Sequence, residues 1–135
     1  MDLSKLAGEP WEVCGSSIPK VFEHCFLPLI YGPYMGGQLM VAKVGTNDVK
    51  RTPELAQKFL VDAEFIALAR NAFGVMMRRG WWAVKVRSGG WIVADGHYGW
   101  VGTKVDDVLV EYSDPFTALV EAEKWYKEQV EGVKT

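Results

Sequence analysis

Residues 52–80 read TPELAQKFLVDAEFIALARNAFGVMMRRG, and this stretch decides the fold. Thr52 carries the hydroxyl an N-cap needs, and Pro53 suits the first helical position, where no N–H is missed. Glu54 favours the positive end of the helix dipole, and Arg78 and Arg79 favour the negative end. Gly80 supplies the backbone freedom of a stop. Together these signals predict a helix from Pro53 to Arg79. At roughly 100° per residue, Leu55, Phe59, Ala63, Ile66, Phe73 and Met77 share one face. Val61, Phe65, Leu68, Ala72 and Val75 form a second apolar stripe, with Gln57, Glu64, Asn71 and Arg78 as a thin polar line between the two. An ordinary surface helix has one apolar stripe. Two stripes predict a helix held between two layers, or between a sheet and another protein chain.

Working outward, Trp81–Val86 and Trp91–Ala94 predict a hairpin across Arg87-Ser88-Gly89-Gly90. Trp82, Val84 and Val86 make the more apolar strand face, which assigns Trp82 to the core and leaves Trp81, Trp91 and Trp100 open. Asp95-Gly96 predicts the next turn, and Val105–Glu111 a third strand. The last helix is predicted from Asp114-Pro115 to about Val130, burying Phe116, Leu119, Val120, Ala122, Tyr126 and Val130. Glu123 borders that face, where a cation from the middle of the chain can meet it. Upstream, Trp11–Cys14, Lys20–Phe22 and Leu39–Val44 read as strands, the last ended by the turn Gly45-Thr46-Asn47-Asp48. Cys25–Gly37, broken by Pro28, Gly32, Pro33, Gly36 and Gly37, is expected to be irregular.

The fold class expected is α+β: small antiparallel sheets with one long central helix and one C-terminal helix. Trp11-Glu12-Val13 with Trp82-Ala83-Val84, Asp48-Val49 with Asp107-Val108, and Thr52-Pro53 with Asp114-Pro115 are the traces a duplicated strands–helix unit would leave. At 135 residues, with 49% hydrophobic side chains and six tryptophans, residues 1–135 are expected to be one domain with a core that needs neither metal nor disulfide. Two cysteines, Cys14 and Cys25, and only two histidines lack the tight pairwise spacing that the four ligands of a structural zinc site need. No metal and no cofactor are expected. Met1–Gly8 lacks the pattern of a secretory signal, and the longest apolar run, Cys25–Tyr31, contains Pro28 and is too short for a bilayer. A cytoplasmic location with no membrane partner is expected.

Net charge is −2, unevenly spread. Residues 1–64 hold six basic and eight acidic side chains, and residues 95–135 hold four and nine. Between them residues 65–94 hold Arg70, Arg78, Arg79, Lys85 and Arg87 and no acidic side chain. The plainer expectation is that this basic segment lies against the acidic C-terminal helix; the sharper one is an anion-binding patch.

Residues 62–73, DAEFIALARNAF, behind a tryptophan-containing strand, resemble small proteins of phage and prophage origin that join a short WxV strand to a helix of the NAxFIAxAR type. The resemblance spans Trp11–Phe73. It implies a bacterial or phage accessory protein and assigns no functional residue. From Pro53 to Val130 the element order is also that of a double-stranded RNA-binding domain, whose last helix opens with lysines that hold phosphates. Here that position reads Asp114-Pro115-Phe116-Thr117-Ala118-Leu119-Val120-Glu121. Because phosphate contacts dominate nucleic-acid affinity, a nucleic-acid partner is not expected.

Residues 91–100, WIVADGHYGW, concentrate titratable and aromatic side chains. His97 titrates near neutrality by type, Asp95 can orient it, and Tyr98 can donate a proton. No nucleophile stands in a recognisable pattern beside them and no nucleotide or metalloprotease motif occurs, so no catalytic residue is assigned. The interaction candidates are Phe65, Leu68, Val75, Arg78, Arg79, Trp81, Lys85, Arg87, Trp91, His97, Tyr98 and Trp100. Tryptophan, tyrosine and arginine dominate binding hot spots. The function expected is a non-enzymatic protein–protein interaction module that binds another protein or itself, as a homodimer. The alternatives are a small-ligand binder or enzyme centred on Asp95, His97 and Tyr98, and a single-strand nucleic-acid binder using segment 78–100.

Overall fold

A computed structural model of the chain describes residues 2, 5–14, 27–46, 52–97 and 99–132. The chain divides into two compact units, residues 1–70 and 71–135, each with its own sheet and core.

In the first unit β1 (Glu12–Cys14), β2 (Leu29–Tyr34) and β3 (Gly37–Lys43) form an antiparallel sheet in that order. Leu29–Tyr34 falls within the stretch expected to be irregular, so its glycine and proline need a physical account. A Cβ on Gly32 would stand 2.9 Å from Trp11 Cδ1; only glycine lets the indole lie against this strand. Pro33 sits beyond the three positions, Leu29 to Tyr31, that β1 pairs, where the lost N–H breaks no ladder to β1. Met35 and Gly36, with φ of 47° and 80°, make the two-residue turn whose twist suits a hairpin. The core of this unit is Ile30, Ala63 and Ala67, wrapped by Trp11, Val13, Val41, Ala42 and Val44. Arg70 closes one side: it donates to the Ala7 carbonyl at 3.1 Å, pairs with Glu9 at 3.3 Å and lies over the Trp11 ring. The expected strand Lys20–Phe22, and Asn47 and Asp48 of the expected turn, lie outside the described residues.

Helix α1 (Pro53–Arg79) has the bounds its caps predict. The Leu55 N–H donates to Thr52 Oγ1 at 3.2 Å, and Gly80, at φ 71°, donates to the Met76 carbonyl at 2.9 Å. Neither apolar stripe is buried along its length. Ala56, Ala63 and Ala67 are buried in the first unit, and Ala72 and Val75 in the second. Val61, Phe65, Ile66, Phe73, Met76 and Met77 stay exposed.

The second unit is a sheet of β4 (Trp82–Lys85), β5 (Trp91–Ala94) and β6 (Trp100–Val101) with helix α2 (Pro115–Gln129) against it. Ala83, Val93 and Val101 are cross-strand neighbours on one sheet face. They join Ala118, Leu119 and Ala122 of the helix, with Ala72, Val75 and Trp81, in the core. Asp114 caps α2, its carboxylate accepting from the Thr117 N–H and hydroxyl, both at 2.7 Å. The expected strand Val105–Glu111 is instead a ribbon of two short strands, β7 (Lys104–Val105) and β8 (Val108–Leu109), bent at Asp106 and Asp107 with φ of 51° and 64°. The third strand of the sheet is Trp100–Val101. The architecture is α+β, with small antiparallel sheets, one long helix and one C-terminal helix. Among the described residues no helix is long and apolar enough to cross a membrane.

Candidate functional site

The second unit holds a cleft of about 570 Å³, lined by Arg78, Arg79, Gly80, Trp81, Asp95, Gly96, His97, Val101 and Tyr126. It lies where the C-terminal turn of α1, the β5–β6 turn and α2 converge. Four interaction candidates, Arg78, Arg79, Trp81 and His97, therefore come together. Its size is within the range of small-molecule sites, so the state of its polar groups decides what it can do.

Its cations are already occupied. Arg78 Nη2 donates to both oxygens of Glu123, at 2.7 and 2.8 Å. Arg79 Nη1 donates to Glu131 at 2.6 Å, and its Nε stands 3.6 Å from Glu123. Lys127 approaches Glu123 at 3.2 Å, an i,i+4 contact along α2. The Arg79 guanidinium also lies over the Tyr126 ring at 4.7 Å and the Trp81 ring at 5.6 Å, while those rings meet edge to face. Burial pushes the Glu123 carboxyl up, but the Lys127 hydrogen bond and the Arg78 charge outweigh it and leave the group below its ordinary range. The hydrogen bond to Glu131 is the main cause that raises Arg79. Of the basic segment, Arg78 and Arg79 meet the acidic C-terminal stretch, while Arg70 pairs with Glu9 and Lys85 lies over Trp91. Its arginines serve as clamps more than as an open anion site.

The turn over this cleft is organised differently from the acid–base centre held as an alternative. Asp95 Oδ1 accepts from the backbone N–H of His97 at 2.7 Å and of Gly99 at 2.9 Å. Those two bonds hold the carboxyl below its ordinary value. The carboxylate shapes the turn, as an aspartate at this position commonly does, and the His97 side chain is exposed. Tyr98 lies outside the described residues. No serine, threonine, cysteine or lysine lines the cleft among the described residues. Nor, among the described residues, do three His, Cys, Asp or Glu side chains gather in a metal-binding group.

The tryptophans reverse one expectation. Trp81 is 6% exposed and Trp82 is 47% exposed, so Trp81 belongs to the core and Trp82 does not. Helix α2 packs on the face of Ala83, Val93 and Val101, where small and β-branched side chains let it approach. Trp82 and Trp100 both pair with Ala94 across the strands, which places the two indoles on the opposite face, Trp100 being 55% exposed. Trp81 precedes the strand and is turned back onto Tyr126 after Gly80. Val75, assigned above to a contact surface, is also core, because it faces the sheet and α2. Trp91 packs half-buried against that core with Lys85 over its ring at 6.0 Å. Leu68 is half-buried, Arg87 is exposed, and Phe65 is 53% exposed on α1. Sequence reasoning missed Trp82 as a surface group; the register of β4 against β5 and β6 was the missing signal.

Comparison of the chain with models of protein families, with curated proteins and with solved structures finds no match.

Proposed function

We propose that this chain is a non-enzymatic protein-interaction module that binds a second copy of itself, as an accessory protein of a bacterium or phage. One observation carries the reading: α1 exposes Val61, Phe65 and Ile66 in the first unit, and Phe73, Met76 and Met77 in the second. Contiguous apolar patches of more than a few hundred Å² mark interaction sites on soluble proteins. Methionine at such a surface adds adaptable packing.

The cleft supports chemistry less well. Among the described lining its carboxylate, Asp95, is bound to backbone amides, its arginines are paired with Glu123 and Glu131, and no nucleophile is brought to His97. Trp82 and Trp100 favour one further reading, base stacking on the open sheet face. Arg78 and Arg79 are already paired with carboxylates and add little for a phosphate backbone.

The test is Phe65→Glu, followed by sedimentation and circular dichroism. The expected product is a folded monomer. A variant that loses its secondary structure would assign Phe65 to the core and remove the support for this reading.

A further inference from the structure

One charge in the cleft of the second unit is neutralised by no neighbour. Arg78 and Arg79, which line it, are paired with Glu123 and Glu131. Asp95, which also lines it, makes no ion pair among the described residues. Its Oδ1 takes the backbone N–H groups of both His97 and Gly99. Its Oδ2 accepts no hydrogen bond from the described residues. That oxygen stands over Gly99, where a Cβ would come within 2.5 Å of it, so glycine leaves it uncovered.

The backbone adds partial charge of the same sign. The cleft lies at the C-terminal end of α1, where the aligned peptide dipoles of the helix leave their negative pole. Arg78 and Arg79 stand at this pole too, but their charge is met by the two glutamates. The Gly80 carbonyl follows the helix end and lies beside the β5–β6 turn, 4.0 Å from where a Cβ on Gly96 would stand. Trp81 and Val101, both buried, form an apolar floor. We infer that this cleft binds a small organic cation, a protonated amine on a flat apolar body. The ammonium donates to Asp95 Oδ2 and to the Gly80 carbonyl, and the body lies over the floor. An organic anion would instead meet arginines whose charge is already satisfied. The site uses none of the exposed apolar side chains of α1, so it stands or falls apart from self-association.

Tryptamine and indole-3-acetate share one ring system and carry opposite charge, so titrating the full chain with each, read by backbone amide NMR, isolates the charge. Tryptamine is expected to shift the amides of Gly80, Gly96 and His97 saturably, and indole-3-acetate to bind at least about fivefold more weakly. Asp95→Asn keeps an oxygen for the two N–H groups and removes the charge. It is expected to weaken tryptamine about fivefold, the scale of a pair open to water, with the rest of the spectrum unchanged. Indole-3-acetate binding as tightly as tryptamine would overturn the inference in favour of the arginines. Saturation by neither probe would overturn it outright, and so would tryptamine shifts confined to Trp82 and Trp100 on the open sheet face. An Asp95→Asn chain that binds tryptamine as tightly as wild type would remove the carboxylate from the site. Should that variant lose its native spectrum, the two probes on the wild-type chain still decide.

Discussion

Glu123→Gln keeps the shape of a buried side chain and removes the charge that three cations share. In the folded chain the carboxylate is 7% exposed and accepts from Arg78 at 2.7 and 2.8 Å, with Lys127 at 3.2 Å and Arg79 at 3.6 Å. Breaking a fully buried ion pair costs about 3–5 kcal/mol. Here the Arg78 and Lys127 side chains are 45% and 37% exposed, so water screens a good part of that interaction and about 2 kcal/mol is the expected loss. With an unfolding entropy near 2.1 cal/mol/K per residue, this lowers Tm by about 7 °C if the whole chain unfolds together, and by about twice that if the second unit unfolds alone. Glu121→Gln is the control, since its ion pair to Lys124 at 3.4 Å is exposed; a loss under about 0.5 kcal/mol is expected. Thermal and denaturant unfolding of the two variants read the difference. Equal losses would refute the view that Glu123 clamps the end of α1 to α2.

The same carboxylate sets an acid limit. Its folded pKa lies below the ordinary 4.5, so as pH falls the unfolded chain takes up the proton first. The contribution of Glu123 is full above that value and lost as pH drops through the lower folded one; unfolding titrations should show an acid limb that Glu123→Gln flattens. Trp81→Ala is expected to cost about 3–5 kcal/mol, a loss typical of emptying a core site of an aromatic ring, while Trp82→Ala costs less than about 1 kcal/mol. Similar costs for the pair would contradict the burial assigned to each. Gly45 has φ 105°, and a Cβ there would lie 2.6 Å from the Phe59 ring, so Gly45→Ala is expected to destabilise the first unit by more than about 1 kcal/mol. Hydrogen exchange on α1 and β3 would register it, and unchanged protection would count against that packing.

What the sequence disclosed was what local chemistry determines. The ends of α1 were legible because Thr52, Pro53 and Gly80 act within one turn of where they stand. Glu123 was legible as a meeting point for the basic segment because charge imbalance persists whatever the path of the chain. β2 was not, because Gly32 and Pro33 carry turn signals whose reasons are tertiary: one accommodates Trp11, the other lies beyond the pairing with β1. The parity of β4 was not either. Alternation separates Trp82 from Ala83, but which face α2 covers depends on how closely a helix can approach, and that favoured the smaller side chains. Asp95 shows the limit at the candidate site. Its proximity to His97 in sequence suggested a catalytic pair, whereas the backbone amides of the turn claim the carboxylate. The two stripes of α1 were legible as apolar, yet the division of its buried side chains between two units could not be seen from periodicity alone.

Solution mass tests the central claim most directly. Light scattering on a sizing column, repeated over a wide range of protein concentrations, is expected to give about 30 kDa, twice the 15.1 kDa of one chain. Phe65→Glu should bring the mass to that of a single folded chain. A wild type that remains near 15.1 kDa at every concentration would contradict self-association through α1.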